Sequence, residues 1–526
     1  MSSPAGTGST QPGAVNPLIS IVRNWSLLAG SQVVASLIAM ATMVIVSRNL
    51  GDAEFGRLYL ALTLTYIVGL AVDFGLSQVV TRAVARDHAL ARPYFVRAAL
   101  VVGAMGVCLY FVTLGSALAL GYSPEVRSLV LILGVLIAAE GFSQVLGALF
   151  QAHEQMLVPV FARIAVNAIT LALVVPLLLR GYGAAMVATV IVLAAILRAA
   201  FQAAAVRRLG GFHLPTPRPP QWGGLLRAGL PFLVAQELGL FAYRVNVVIL
   251  GRMSSEATVG WYGAASRVME ALNFVPLLLT TATFPVLSRL WVNAPTTTFT
   301  ATVRKTLHLV LVVAVPVAVV LFILAEDIIG SLFTLQAYAP AVPILRIQAL
   351  SLALMFVDYL LVCVLMAIGK ERIWISILAA ACLLNPVLNW LLIPLAESRY
   401  GNGAIGAALV TLVIEVFVMA CALRTIPSGT FGVESARVAA SASALGAVLG
   451  VVLLGSRILG VPWFLAAAVG GIGYLATVVW LHILPPDVAR WARDMVLRRP
   501  MPIAAAEEIA DPSPLVAEAT RAMDAA

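Results

Sequence analysis

Seven ionisable residues stand inside long apolar runs of this chain: Asp73, Glu140, Arg163, Glu237, Arg244, Asp358 and Glu415. A charge held at mid-bilayer costs about 2.5 to 3.5 kcal/mol even on a lenient insertion scale. Such residues must face protein or a watery cavity, where they can pair, hold an anion or take up a cation. Glu237 and Arg244 share one side of one helix, about 10.5 Å apart along its axis, which is too far for a direct ion pair. Each therefore calls for another partner, and a hydrated central cavity is the economical expectation. Arg267 and Glu270, at i and i+3, read as a local ion pair. Arg82 and Arg289 follow Thr81 and Ser288 at corresponding span ends, and fit either basic anchors or a paired basic entrance for an anion.

The elements that position these residues are membrane helices. Over 526 residues the composition is 61% hydrophobic and only 11% charged, with mean hydropathy +1.00, which excludes an ordinary soluble domain array. About 20 apolar residues cross the roughly 30 Å hydrocarbon core as a helix, because lipid offers no partner to a free backbone group. The sequence predicts an all-α polytopic membrane protein with about fourteen such spans, from Trp25–Val46 to Val461–Leu484. With alternate connections assigned to opposite faces, 23 Lys and Arg residues fall on one face and nine on the other, with Arg244 inside a span. This asymmetry predicts both termini on the cytoplasmic side. The net charge of +9 is thus a topology signal, and no basic run interleaved with aromatics suggests nucleic acid as a partner.

The chain repeats itself. RNLGDAEFG from Arg48 and RMSSEATVG from Arg252 place Arg, an acid (Asp52, Glu256), Ala and Gly at identical offsets. Asn167 and Pro176 recur at the same separation as Asn385 and Pro394, each followed by a Gly-rich turn into an Ala-rich helix. These matches predict two six-helix lobes, 25–206 and 225–424, related as parallel repeats about an axis along the membrane normal. The Pro-rich connector HLPTPRPPQW lies in the linker 207–224, and two further spans occupy 425–484. Residues 1–24 read as disordered and without a signal peptide. The tail 485–526 opens with an amphipathic stretch, Asp487 to Arg499, expected to lie along the lipid surface.

Other motifs carry less. GNGAIG, Gly401 to Gly406, has the letters of a dinucleotide fingerprint but follows a membrane span and lacks the acid about twenty residues on, so it reads as a tight turn with close helix packing. The four Cys lie in apolar spans and the five His are scattered, so no metal site or cofactor is expected. The short outer connections leave no place for a catalytic domain, and the chain is not expected to be an enzyme.

The set SRNLGDAEFGRLYLAL, DFGLSQVVTRAVAR, YRVNVVILGRMSSEATVGWYGAASRV, FPVLSRL and NPVLNWLLIP through GAIGAALVT resembles the Wzx-type polysaccharide flippases of the MOP superfamily, over roughly residues 20–425. The resemblance implies translocation of undecaprenyl-pyrophosphate-linked oligosaccharide across a bacterial inner membrane by alternating access. It also implies membrane lipids and the polysaccharide polymerase and chain-length machinery as partners. On that reading Arg244, Arg82 and Arg289 contact the diphosphate, because Arg pairs with phosphate bidentately and stays charged when buried. Asp73, Glu237, Glu140, Asp358 and Glu415 are candidates to couple a proton or sodium gradient. The resemblance also marks a departure, since relatives often carry an acid where this chain has Asn246, which leaves Arg244 without its nearest counter-charge. A MATE-type exporter of organic cations and a lipid II-type flippase are the alternatives. An embedded Arg244 tells against the first.

Overall fold

The computed structural model describes residues 17–209, 222–427 and 429–481. The described residues form α-helices and short 3-10 turns, without strands. The first half holds α1 (Pro17–Gly69), α2 (Leu76–Arg86), α3 (Ala91–Ala119), α4 (Pro124–Leu133), α5 (Val135–Ala152), α6 (Leu157–Leu179) and α7 (Ala184–Val206). The second holds α8 (Trp222–Met253), α9 (Glu256–Leu272), α10 (Phe274–Asn293), α11 (Thr296–Ile323), α12 (Ala325–Phe333), α13 (Leu335–Tyr338), α14 (Ala341–Ala367), α15 (Glu371–Tyr400) and α16 (Gly403–Leu423). Helices α17 (Val433–Ile458) and α18 (Trp463–Trp480) follow. The amphipathic tail segment and most of the linker lie outside the described residues.

Among the described residues, twelve stretches are long and apolar enough to cross a bilayer. The first, Val33–Arg86, contains two of the expected spans, separated at Gly51, whose φ of 77° favours glycine. Helices α9 and α10 meet end to end at Asn273 and make the eighth span together, so about fourteen crossings are accounted for. Two expectations are corrected. The first helix begins at Pro17, so the segment before Trp25 is partly helical. The second span is not one rod: it tightens into a 3-10 turn at Leu70–Asp73 and turns left-handed at Phe74 and Gly75 before α2.

Caps written into the sequence start the next helices. Ser123 accepts from the Val126 amide with Pro124 in the first turn of α4, Ser255 accepts from the Thr258 amide, and Asn402 accepts from the Ala404 amide. Within GNGAIG, Gly401 closes α15 with φ 62° and Gly406 lies so close to Leu392 that a Cβ would overlap its carbonyl. The glycines therefore serve a turn and a close helix approach.

The repeated Asn residues make the same bond in each half. Asn167 on α6 donates to the Ala35 carbonyl of α1 at 3.0 Å, and Asn385 on α15 donates to the Ala242 carbonyl of α8 at 2.8 Å. Asn385 is fully buried and extends into a chain with Asn389, Asn246 and Thr411. Asn246 is thus held as a neutral hydrogen-bond partner. Asn385→Ala is expected to lower stability by about 1 kcal/mol or somewhat more, because its bond and its contact with Asn389 are lost together. Thermal unfolding in detergent measures this; an unchanged midpoint would contradict it.

The two copies of the Arg-acid-Ala-Gly motif meet each other. A Cβ on Gly56 would overlap the Glu256 carbonyl, and one on Gly260 would overlap the Asp52 carbonyl, so the approach is reciprocal. Both acids receive donors from the opposite half. Glu256 pairs with Arg57 and accepts from Ser123 Oγ at 2.6 Å, while Asp52 accepts from Trp261 Nε1 at 3.0 Å. Arg48 donates to the carbonyls of Ser331 and Leu332, and Tyr338 donates to the Ser47 carbonyl at 3.0 Å. The halves are sealed together along this edge.

Candidate functional site

Helix α5 packs against α2 and α7, and α6 packs against α1 and α7. Together with the 3-10 turn they enclose a cavity of about 670 Å³, completed by Gln236 of α8 and Phe274 and Leu277 of α10. Its wall combines apolar surface with Asp73, Glu140, Arg163, Arg198 and the amides of Gln78, Gln144, Gln151, Gln202 and Gln236.

One arginine pairs with a carboxylate there, and a second arginine lies near both. Arg198 of α7 pairs with Glu140 of α5 and also reaches Ser143 Oγ at 3.3 Å, and Arg163 of α6 lies within electrostatic range of both Arg198 and Glu140. The Glu140 side chain is 36% exposed and that of Arg198 only 14%, so the acid is the more open member of the pair. Asp73 accepts from the Ser77 amide and from Ser77 Oγ at 2.8 Å, which fixes it at the mouth of α2. Gln202 is 3% exposed, and its Oε1 has no hydrogen-bond donor. A buried acceptor without a donor is costly, and it marks a place where a ligand hydroxyl or amide would be welcome.

A second triad stands beyond Tyr66. Arg244 of α8 pairs with Glu270 Oε1 at 2.7 Å, and Arg267 of α9 pairs with Glu270 Oε2 at 2.9 Å. The expectation that Arg244 lacks a counter-charge is therefore corrected. Glu270 supplies it from the neighbouring span, where helix spacing along the chain gave no view of it. The expected local pair of Arg267 with Glu270 is present, as one arm of this triad. Tyr66 lines the cavity and lies 5.8 Å from the Arg244 guanidinium, so it stands between the two triads.

The remaining sequence candidates are dispersed. Arg82 lies over the Phe232 ring at 4.9 Å, Arg289 is exposed on α10, and neither lines the cavity. Glu237 on α8 keeps one carboxylate oxygen buried without a donor. Asp358 of α14 and Glu415 of α16 are 3% and 1% exposed and face each other, with Tyr243 beside Glu415 and no basic side chain acting on either among the described residues. Both Asp358 oxygens lack a conventional donor.

Sequence reasoning missed Arg198 and Gln202. Arg198 was counted among the basic-face anchors because it lies near a helix end, whereas its guanidinium turns inward to Glu140. The signal available was two polar residues four apart, Arg198 and Gln202, on an otherwise Ala-rich helix. No group of three or more metal-ligating side chains occurs among the described residues.

An all-helical, many-spanning membrane fold with a polar cavity defines a membrane transporter, and the comparisons place it in the MOP superfamily. The chain matches the family described as polysaccharide biosynthesis protein over residues 21–291, more than half its length, and it belongs to that family. A MatE match covers residues 231–391. No curated protein matches the chain. Among solved structures, the lipid II flippase MurJ in an inward closed conformation aligns with TM-score 0.69 at 14% identity, covering 87% of this chain and 99% of that one. An inward-facing multidrug resistance MATE family transporter aligns with TM-score 0.62 at 17% identity, covering 74% and 94%. A MOP superfamily transporter from Pyrococcus furiosus aligns with TM-score 0.54 at 16% identity, covering 78% and 94%. At these identities the structures share the fold; the family match carries the link to polysaccharide biosynthesis.

Proposed function

We propose that this multi-pass membrane transporter moves an undecaprenyl-pyrophosphate-linked oligosaccharide across the bacterial cytoplasmic membrane, with both termini cytoplasmic, for cell-surface polysaccharide synthesis. The observation that carries the reading is the cavity wall, where two arginines, a row of five glutamines and apolar surface lie together. A diphosphate needs guanidinium groups, sugar hydroxyls need amides, and a polyprenyl chain needs apolar contact. An organic cation would gain nothing from a wall that carries as many arginines as acids, so the exporter reading is weaker. Residues 25–206 and 225–424 are read as two lobes that rock between inward- and outward-open states, with the described state closed at the Gly56–Gly260 seam.

The direct test is lipid mass spectrometry of cells lacking the protein, with leaflet-resolved labelling of undecaprenyl-linked oligosaccharides. One species should accumulate on the cytoplasmic side. Unchanged intermediates, in cells that need the glycan and lack a second flippase, would reject the reading.

We further propose that coupling to a proton gradient uses the Asp358–Glu415 pair, two acids buried together between α14 and α16. Asp358→Asn is expected to leave transport active but to remove most of its dependence on the proton gradient in reconstituted vesicles. Full dependence in that variant would assign coupling elsewhere, with Asp73 and Glu237 next to test.

A further inference from the structure

The cavity triad and the triad beyond Tyr66 have the same composition, yet their carboxylates are held differently. Glu270 is gripped from two helices, one arginine on each oxygen, at 2.7 and 2.9 Å. Glu140 is fastened to Arg198, and its side chain is the more exposed partner, opening to the cavity. The ionisable wall residues are Arg163, Arg198, Glu140 and Asp73, so the cavity is near neutral. Asp73 is committed to Ser77. Glu140 is therefore the wall's one anion whose departure would uncover a guanidinium, and Gln202 alongside offers an unused acceptor.

We infer that Glu140 is a displaceable counter-ion, which occupies Arg198 until it yields it to a phosphate oxygen of an anionic lipid headgroup. The inference rests on the flippase reading and names the anion site within it. A bare pair of arginines on the wall would hold a diphosphate too firmly, and a transporter must bind well enough to load yet weakly enough to release. An internal carboxylate that competes for the same guanidinium lowers the affinity and retakes the site when the substrate departs. The exchange leaves Arg198 paired at both ends of the cycle, and the displaced Glu140 carboxylate, whose side chain is 36% exposed, is left to the hydrated cavity rather than to an apolar interior. Gln202 Oε1 would accept from the first sugar, next to the phosphate.

The experiment uses the full chain in phosphatidylcholine nanodiscs, titrated with undecaprenyl pyrophosphate and separately with inorganic pyrophosphate. Glu140→Gln is expected to tighten lipid binding by about tenfold, the effect of losing one charged competitor. Arg198→Lys keeps a charge for Glu140 but loses the two-pronged contact, and is expected to weaken lipid binding several-fold. Asp73→Asn removes a wall charge that does not hold Arg198 and should tighten binding clearly less than Glu140→Gln does. Unchanged or weaker binding by a correctly folded Glu140→Gln protein would overturn the inference while leaving the flippase reading standing. Equal tightening by Asp73→Asn would reduce the effect to overall charge and overturn it too. Tightening for inorganic pyrophosphate alone would point to a soluble anion and overturn the lipid assignment. No lipid binding by the unmodified protein would remove both readings.

Discussion

Replacing Gly56 with alanine is expected to open the sealed edge between the halves and cut transport by an order of magnitude. The added Cβ meets the Glu256 carbonyl and crowds the Gly260 amide, both backbone atoms of capped helices that cannot swing aside as a side chain could. Overpacking of this kind costs about 1–3 kcal/mol, which moves a two-state population roughly five- to a hundredfold. The penalty falls on the sealed state alone, because separation of the halves relieves it. A single cysteine at Ser123, which binds Glu256 in the seal, reports the change in a background without the four native cysteines. Its reaction with a charged maleimide added from outside should accelerate about tenfold, following the population shift. If labelling and transport both match the unmodified glycine, the contact is not a gate. Gly260→Ala should reproduce the effect, since its Cβ meets the Asp52 carbonyl in the mirror relation.

Glu270→Gln is expected to be the most destabilising single change in the second half. The carboxylate compensates Arg244 and Arg267 together, and its loss leaves two guanidinium groups side by side within a membrane helix bundle. Removing one partner from a fully buried ionic cluster costs about 3–5 kcal/mol, and this cluster, whose side chains are 20–27% exposed, is expected to lose about 2 kcal/mol. Arg267→Gln should cost much less, because Arg244 still compensates Glu270 and only the contact with the Tyr59 ring at 5.1 Å is lost as well. The Arg267→Gln, Glu270→Gln double variant should recover part of the loss of Glu270→Gln, since one uncompensated charge remains where there were two. Tryptophan-monitored thermal unfolding in detergent gives the order of the three midpoints. A Glu270→Gln midpoint at or above that of Arg267→Gln would show that solvent, not Glu270, balances these arginines.

Much of this architecture was legible from the chain alone. Apolar run length gave the spans because lipid leaves the backbone no alternative to a helix. The paired RNLGDAEFG and RMSSEATVG motifs and the matched Asn167 and Asn385 were visible as spacing, and each pair makes equivalent contacts in the fold. Left-handed Phe74 and Gly75 were less legible, since Asp73 and Gly75 are single interruptions in a stretch that is otherwise long and apolar enough to read as one span.

The chemistry of the cavity was legible only in part. Asp73, Glu140 and Arg163 stood out because charge inside a span is costly wherever the helix turns. Their partners did not, because helical periodicity relates residues three or four apart and is blind to a neighbour on another helix. Glu140 meets Arg198 across 58 residues of chain, and Arg244 meets Glu270 across a turn between spans. Sequence by itself determined that this protein is a bundle of membrane helices with two internally similar halves and a few charges that must be sheltered. Tertiary structure decided which charges shelter one another, which acid is left open to the cavity and which carbonyl awaits a donor. The physical reason is that burial and pairing are properties of helix faces brought together in space, and the chain fixes those faces only when it packs.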